Sequence, residues 1–193
     1  MSKPALILIG FQNDYFHESG ALHAVVKNSI DHAKVLQNSL KLIDAFVPRL
    51  IISTPISFSS NYSELGEAVG ILKTIQDVKA FQKNTFGAET IDQLKAKGPK
   101  ILELPGKISF NAFEHTDLEA VLKANDIDEI ILAGAVCSVC IDSTGRAAFE
   151  KSYKVTMVAD CIAGRTVEEQ QLYNESIFPI YANVVNHGDL VVE

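Results

Sequence analysis

Short runs of aliphatic and β-branched residues alternate with longer stretches of helical period along this chain, and that alternation leaves few folds open. ALILIG (5–10) is apolar without a break, which reads as a strand buried on both faces. From Ser29 to Val47, apolar residues fall at Ile30, Ala33, Leu36, Leu40, Ile43 and Phe46. Those steps of three and four trace one helical stripe, with Ser29 as its cap and Pro48 as its stop. Further strands are expected at Leu50–Thr54, Lys100–Leu104, Glu129–Ala133 and Lys154–Ala159, and a short last one within Val184–Val192. Helices are expected over Thr116–Lys123, Val139–Lys151 and Thr166–Tyr173, the last with Thr166, Glu168 and Glu169 at its N-terminus. Pro55–Leu65 reads as a loop.

Strand, helix, strand, repeated, implies right-handed parallel crossovers. The expectation is therefore a three-layer, doubly wound α/β fold with a mainly parallel sheet and helices on both faces. In such folds ligands bind beyond the carboxyl ends of the strands, where the strand order reverses. That rule directs attention to residues 10–20, 105–113 and 134–140. With no internal repeat or break in composition, residues 1–193 read as a single domain.

Composition narrows the partners. The chain carries a net charge of −7 and no run of Lys or Arg, which argues against nucleic acid or an anionic membrane surface. No apolar stretch approaches the roughly 18 residues of a membrane span. The first apolar run is short and is followed at once by Gln12-Asn13-Asp14, so it reads as a strand rather than a leader, and a cytoplasmic location is expected. Three cysteines do not suggest a disulfide framework.

Cys140 is the foremost chemical candidate. EIILAGAVCSVCIDSTGRAAFE runs strand, tight turn, helix, and with Ser138 as N-cap Cys140 falls in the first helical turn. Unpaired backbone N–H groups and the helix dipole there favour a thiolate and can hold an oxyanion. The competing reading is a buried core cysteine. Cys137 and Cys140 also form a C-x-x-C, which leaves open a redox pair; a zinc site would need ligands that no second such motif supplies. Lys107 lies just past a strand in a loop with Ile108, Phe110 and Phe113, where it could support a thiolate or simply be solvated. In the loop FQNDYFHESGAL, Asp14 could cap the turn at Gly20 or bind substrate, and His17 is the one histidine near this mouth in sequence. Gln12, Asp14, Tyr15 and Phe113 are candidate pocket residues.

Four segments in order resemble the isochorismatase-like hydrolases, which include nicotinamidases and N-carbamoylsarcosine amidases. ALILIGFQNDYFHESGAL is similar to the opening strand and Q-N-D-[FY] loop of that family. NTFGAE (84–89) resembles its G-T-x-G-A-E segment, with Asn84 in place of Gly. KISFNAFEHTDLEAVL leads into the core strand, and AGAVCSVCIDSTGRAA is similar to the nucleophile turn.

The resemblance implies a catalytic Asp, Lys and Cys. The Lys falls on Lys107 and the Cys on Cys140, but the position of the Asp, two residues before Gln12, is Gly10. It also implies a cis peptide at Ala135–Val136, aiming the N–H of Val136, with that of Cys140, at an oxyanion. The metal-binding D-x-H…H of nicotinamidases has no counterpart in STPISFSSNYSEL, so neither a catalytic metal nor another cofactor is expected. The leading reading is a metal-independent cysteine hydrolase of a small amide or ureide, homo-oligomeric as the family implies. Its rivals are a family member that binds a small molecule or a protein without turnover, because Gly10 removes the base, and a thiol redox protein using Cys137 and Cys140.

Overall fold

The computed structural model describes residues 2–46 and 49–190. Its strands are β1 (Pro4–Ile9), β2 (Ile51–Thr54), β3 (Leu102–Glu103), β4 (Glu129–Ala135), β5 (Lys154–Ala163) and β6 (Asn183–Val185). They form one sheet in the order β3-β2-β1-β4-β5-β6, and every pair is parallel. The order reverses between β1 and β4, so a crevice opens beyond Ile9 and Ala135.

Alternation along the strands supplies both faces. Ala5, Ile7 and Ile9 of β1 join Ile130 and Leu132 of β4 on one side, against Leu118, Leu122 and Ala148. Leu6 and Leu8 join Ile131 and Ala133 on the other, against Leu42, Ile43 and Phe46. The sheet is thus covered twice, as its uninterrupted apolar strands require. A third cluster, with Tyr15, Leu22, Val26, Phe58, Tyr62 and Phe81, packs on Ala135, Val136 and Ala163 at the carboxyl end of the sheet.

The helices are α1 (Asn13–Phe16), α2 (His23–Ala33), α3 (Val35–Phe46), α4 (Gly70–Asp77), α5 (Asp92–Lys95), α6 (Leu118–Ala124), α7 (Asp142–Glu150) and α8 (Val167–Leu172). Three expectations need correction. The single helix over Ser29–Val47 is two, because Lys34 adopts a left-handed conformation (φ 52°) that closes α2. Asn38 Nδ2 then donates to the Ala33 carbonyl at 3.0 Å, satisfying an acceptor the break leaves open. Ser29 is not a cap but lies inside α2, where its Oγ accepts from Gly164 N at 2.8 Å. Second, β5 runs four residues further than Lys154–Ala159 because a bulge carries it on: Leu132 pairs with Met157, yet Gly134 pairs with Ile162. Third, β3 is shorter than Lys100–Leu104 and its two residues are exposed. Thr166 caps α8 as its sequence suggests, accepting from Glu169 N at 3.1 Å. Val47 and Pro48, and the last residues of the Val184–Val192 strand, lie outside the described residues. No described helix is long and apolar enough to cross a membrane.

Candidate active site

The three segments flagged by the strand-end rule meet at the reversal point. Lys107 is fixed by its own backbone: its carbonyl accepts from Ser57 N at 3.1 Å, a bridge that joins it to the chain leaving β2. Its side chain, only 1% exposed, donates from Nζ to Cys140 Sγ at 3.3 Å. Among the described residues no carboxylate lies within ion-pair reach of this nitrogen; Cys140 is its one hydrogen-bonding partner.

Cys140 sits in a wide turn between β4 and α7. The N–H of Ile141 reaches back five residues to Val136 O at 3.2 Å, and Val139 N bonds the same carbonyl at 3.0 Å, so Cys137–Ile141 forms a single π-helical turn. Such insertions recur at functional sites because they re-aim one side chain. This corrects the expected cap: Val136, not Ser138, precedes the turn, and no side chain caps it. The peptide bond between Ala135 and Val136 is cis.

Gly10 closes the floor. Its φ is +72°, and a Cβ there would lie 2.7 Å from Ala135 O and 3.4 Å from Tyr15 Cδ2. Tyr15 is buried beside it, and its hydroxyl is held well above the usual phenol range, first by burial and then by the charges of Cys140 and Asp14. It therefore stays protonated at neutral pH and offers no phenolate to act as a base.

The other loop candidates hold the fold. Gln12 Nε2 donates to Ile56 O (2.8 Å) and Ala88 O (2.7 Å), while its Oε1 accepts from Ile56 N (2.9 Å). The Asp14 carboxylate accepts from Ala21 N at 3.0 Å and Phe81 N at 2.6 Å, capping the turn after Gly20 and pinning a distant loop. Gly87, within NTFGAE, packs so closely on this carboxylate that a Cβ would come within 2.3 Å of its Oδ1. His17 is exposed, bonds Ser19 Oγ at 2.8 Å and meets the edge of Phe86. Phe113 stacks on Tyr153, the residue before β5, beneath the ammonium of Lys151.

The two remaining thiols differ from Cys140. Cys137 Sγ faces Glu169 Oε2 at 3.8 Å, and its thiol is pushed far up, by burial first and by that carboxylate second. Such a group resists the thiolate exchange that a redox pair needs. Cys161 is fully buried in β5.

The isochorismatase domain family model matches residues 4–189. The chain belongs to the isochorismatase family. Within that family it is 24% identical to the ureidoacrylate amidohydrolase RutB of Rhizobium rhizogenes over 202 residues, covering 96% of this chain and 81% of the relative. A cysteine hydrolase from Pseudomonas syringae pv. phaseolicola superposes with a TM-score of 0.82 at 22% identity, covering 97% of this chain and 90% of that one. The N-carbamoylsarcosine amidase of Thermoplasma acidophilum gives a TM-score of 0.77 at 22% identity, with 99% of each chain covered. At such identities the two structures establish the shared isochorismatase-type fold.

Proposed function

We propose that this isochorismatase-family protein is a cysteine hydrolase of small amide or ureide C–N bonds, with Cys140 as nucleophile and Lys107 as its proton partner. One observation carries the reading: the side-chain nitrogen of a buried lysine, with no carboxylate partner among the described residues, lies 3.3 Å from the Cys140 sulfur. In this reading the Lys107 amine, rather than a carboxylate, is the acceptor for the proton of the Cys140 thiol. In one state the amine has taken the thiol proton and leaves a thiolate beside an ammonium.

The thiolate attacks the carbonyl carbon, and the N–H groups of Val136 and Cys140 are the candidate donors to the oxyanion that forms. Collapse breaks the C–N bond, and the leaving nitrogen takes its proton from the Lys107 ammonium. Water then attacks the thioester (a thiocarbamate when the substrate is a ureide), giving its proton to the Lys107 amine and releasing the Cys140 thiolate, which takes the proton back. Lys107 in this scheme does the work that the family assigns to its Asp, because Gly10 has no side chain and Asp14 is committed to backbone donors. The Tyr15 hydroxyl stays protonated and takes no proton in this scheme. No step draws on a metal, since residues 53–65 carry neither His nor Asp.

The preference for amides and ureides is supported by the activities named for RutB and the N-carbamoylsarcosine amidase. The proposal takes residues 1–193 as one hydrolase domain acting in the cytoplasm as a homo-oligomer, an assembly that the family resemblance implies.

The test is release of amine or ammonia from a panel of primary amides, N-carbamoyl amino acids and ureido acids. The proposal expects turnover by the native chain and its loss in Cys140→Ser. Saturable binding of such compounds without turnover would instead favour the binding reading, for which Gly10 is the supporting observation.

A further inference from the structure

The bulge in β5 makes a second cluster of donor atoms that the Cys140–Lys107 site does not use. In an unbroken strand Asp160 and Cys161 would face opposite sides of the sheet. Here the pairing steps from Met157 to Ile162 on β5 while β4 advances only from Leu132 to Gly134. The excess residues turn both side chains toward α3. Cys161 packs with Leu42 and Phe46, and Asn38 Nδ2 reaches Asp160 Oδ2 at 3.4 Å.

The segment after β6 brings a third donor. His187 N donates to Asp160 Oδ1 at 2.8 Å, and His187 Nδ1 lies 2.5 Å from Asp160 Oδ2. Cys161 Sγ stands 3.8 Å from Asp160 Oδ1. Sulfur, nitrogen and oxygen all lie within 4.8 Å of one another. The Asp160 and His187 side chains keep 22% and 24% of their surface exposed, so the cluster opens to solvent on one side while Cys161 closes it on the other.

We propose that Asp160, Cys161 and His187 bind a zinc-class divalent ion, at a site separate from the Cys140–Lys107 pair. Three protein ligands of thiolate, imidazole and carboxylate type with one side open to water make a tetrahedral donor set for such an ion. The sulfur disfavours magnesium and calcium, which take oxygen ligands. Binding forms a metal–sulfur bond and releases the thiol proton to solvent. It also exchanges the Asp160–His187 hydrogen bond for one metal bond to each partner. The ion would tie the chain beyond β6 to the bulge.

Cobalt(II) is the probe, because a thiolate ligand gives it a charge-transfer band in the near ultraviolet. The full chain, stripped with a chelator, is titrated with cobalt chloride. The proposal expects the band to saturate near one equivalent and to disappear when zinc is added. It should persist in Cys140→Ser and Cys137→Ser, and be lost in Cys161→Ser. His187→Gln should weaken binding by at least about 10-fold, the loss that even an outer partner of a ligand causes. Absence of the band in the native chain would overturn the proposal without reference to any variant. A band that survives Cys161→Ser would overturn it as well.

Discussion

The Cβ that Gly10 lacks would lie 2.7 Å from the carbonyl oxygen of Ala135, the residue that opens the cis peptide before the nucleophile turn. The missing aspartate is therefore more than an absent side chain. The backbone of β4 has closed over the place where that side chain would leave the main chain, and the φ of +72° at Gly10 suits glycine. Gly10→Asp is expected to destabilise the protein by about 1–3 kcal/mol, the usual cost of a strained backbone position. It should not raise turnover. Urea denaturation and a steady-state assay check both halves. Unchanged stability with faster turnover would mean that the site still accepts the family's base.

Lys107 is buried with a single partner, so its role in chemistry separates cleanly from its role in stability. Replacing a buried charged group with an apolar one of similar length is often neutral or stabilising. Lys107→Met is thus expected to hold or raise the melting temperature while lowering kcat by about 10²–10⁴, the usual contribution of a positioned proton carrier. Loss of fold with loss of activity would point to a structural lysine instead.

Gln12 and Asp14 stand in the loop that most resembles a substrate-binding segment, yet their polar atoms are spent on backbone groups. Gln12→Leu leaves the polar groups of Ile56 and Ala88 without partners, at about 1–3 kcal/mol for each buried group left unpaired. Gly87→Ala would press a methyl group into the Asp14 carboxylate. Both variants are expected to lower the denaturation midpoint. Neither should change KM in the fraction that remains folded.

Glu119 makes one contribution to the acid dependence of stability. Hydrogen bonds from Lys123 and Lys151 hold its carboxyl at about 2, below the ordinary glutamate value. A carboxyl depressed in the folded state contributes stability that is complete above its unfolded pKa of about 4.3. That contribution fades as pH falls toward 2. Glu119→Gln should flatten the acid limb of a stability-against-pH curve across that window. Because the side chain is only partly buried, the effect should shrink in high salt.

Much of the fold can be read from local pattern. β1 is apolar at six consecutive positions and is buried at all six, and the alternation of strands and helices leads directly to the parallel sheet. The rule that ligands gather beyond strand ends then groups residues 10–20, 105–113 and 134–140, although 33 residues separate Lys107 from Cys140. What escapes is set by contacts between distant segments. Lys34 breaks a helix with no Gly or Pro to mark it, and the break is held by Asn38. The π-helical turn that carries Cys140 has the same composition as an ordinary helix start. Asp14 looks like a free loop carboxylate until Phe81, far along the chain, is seen to donate to it. The bulge that turns Asp160 and Cys161 to one side leaves no trace in VTMVADCIA, because bulges follow from pairing with a neighbour.

Alkylation of the three cysteines by iodoacetamide, followed by peptide mass spectrometry across pH in the native chain and in Lys107→Met, tests the Cys140–Lys107 pair most directly. Cys137 is held protonated by burial and by Glu169, and Cys161 is fully buried, so both should react slowly. Cys140 is predicted to react fastest in the native chain and to lose that advantage in Lys107→Met, because the lysine takes the thiol proton. A Cys140 that reacts no faster than Cys161, or whose rate is indifferent to Lys107→Met, would contradict the pairing on which the mechanism rests.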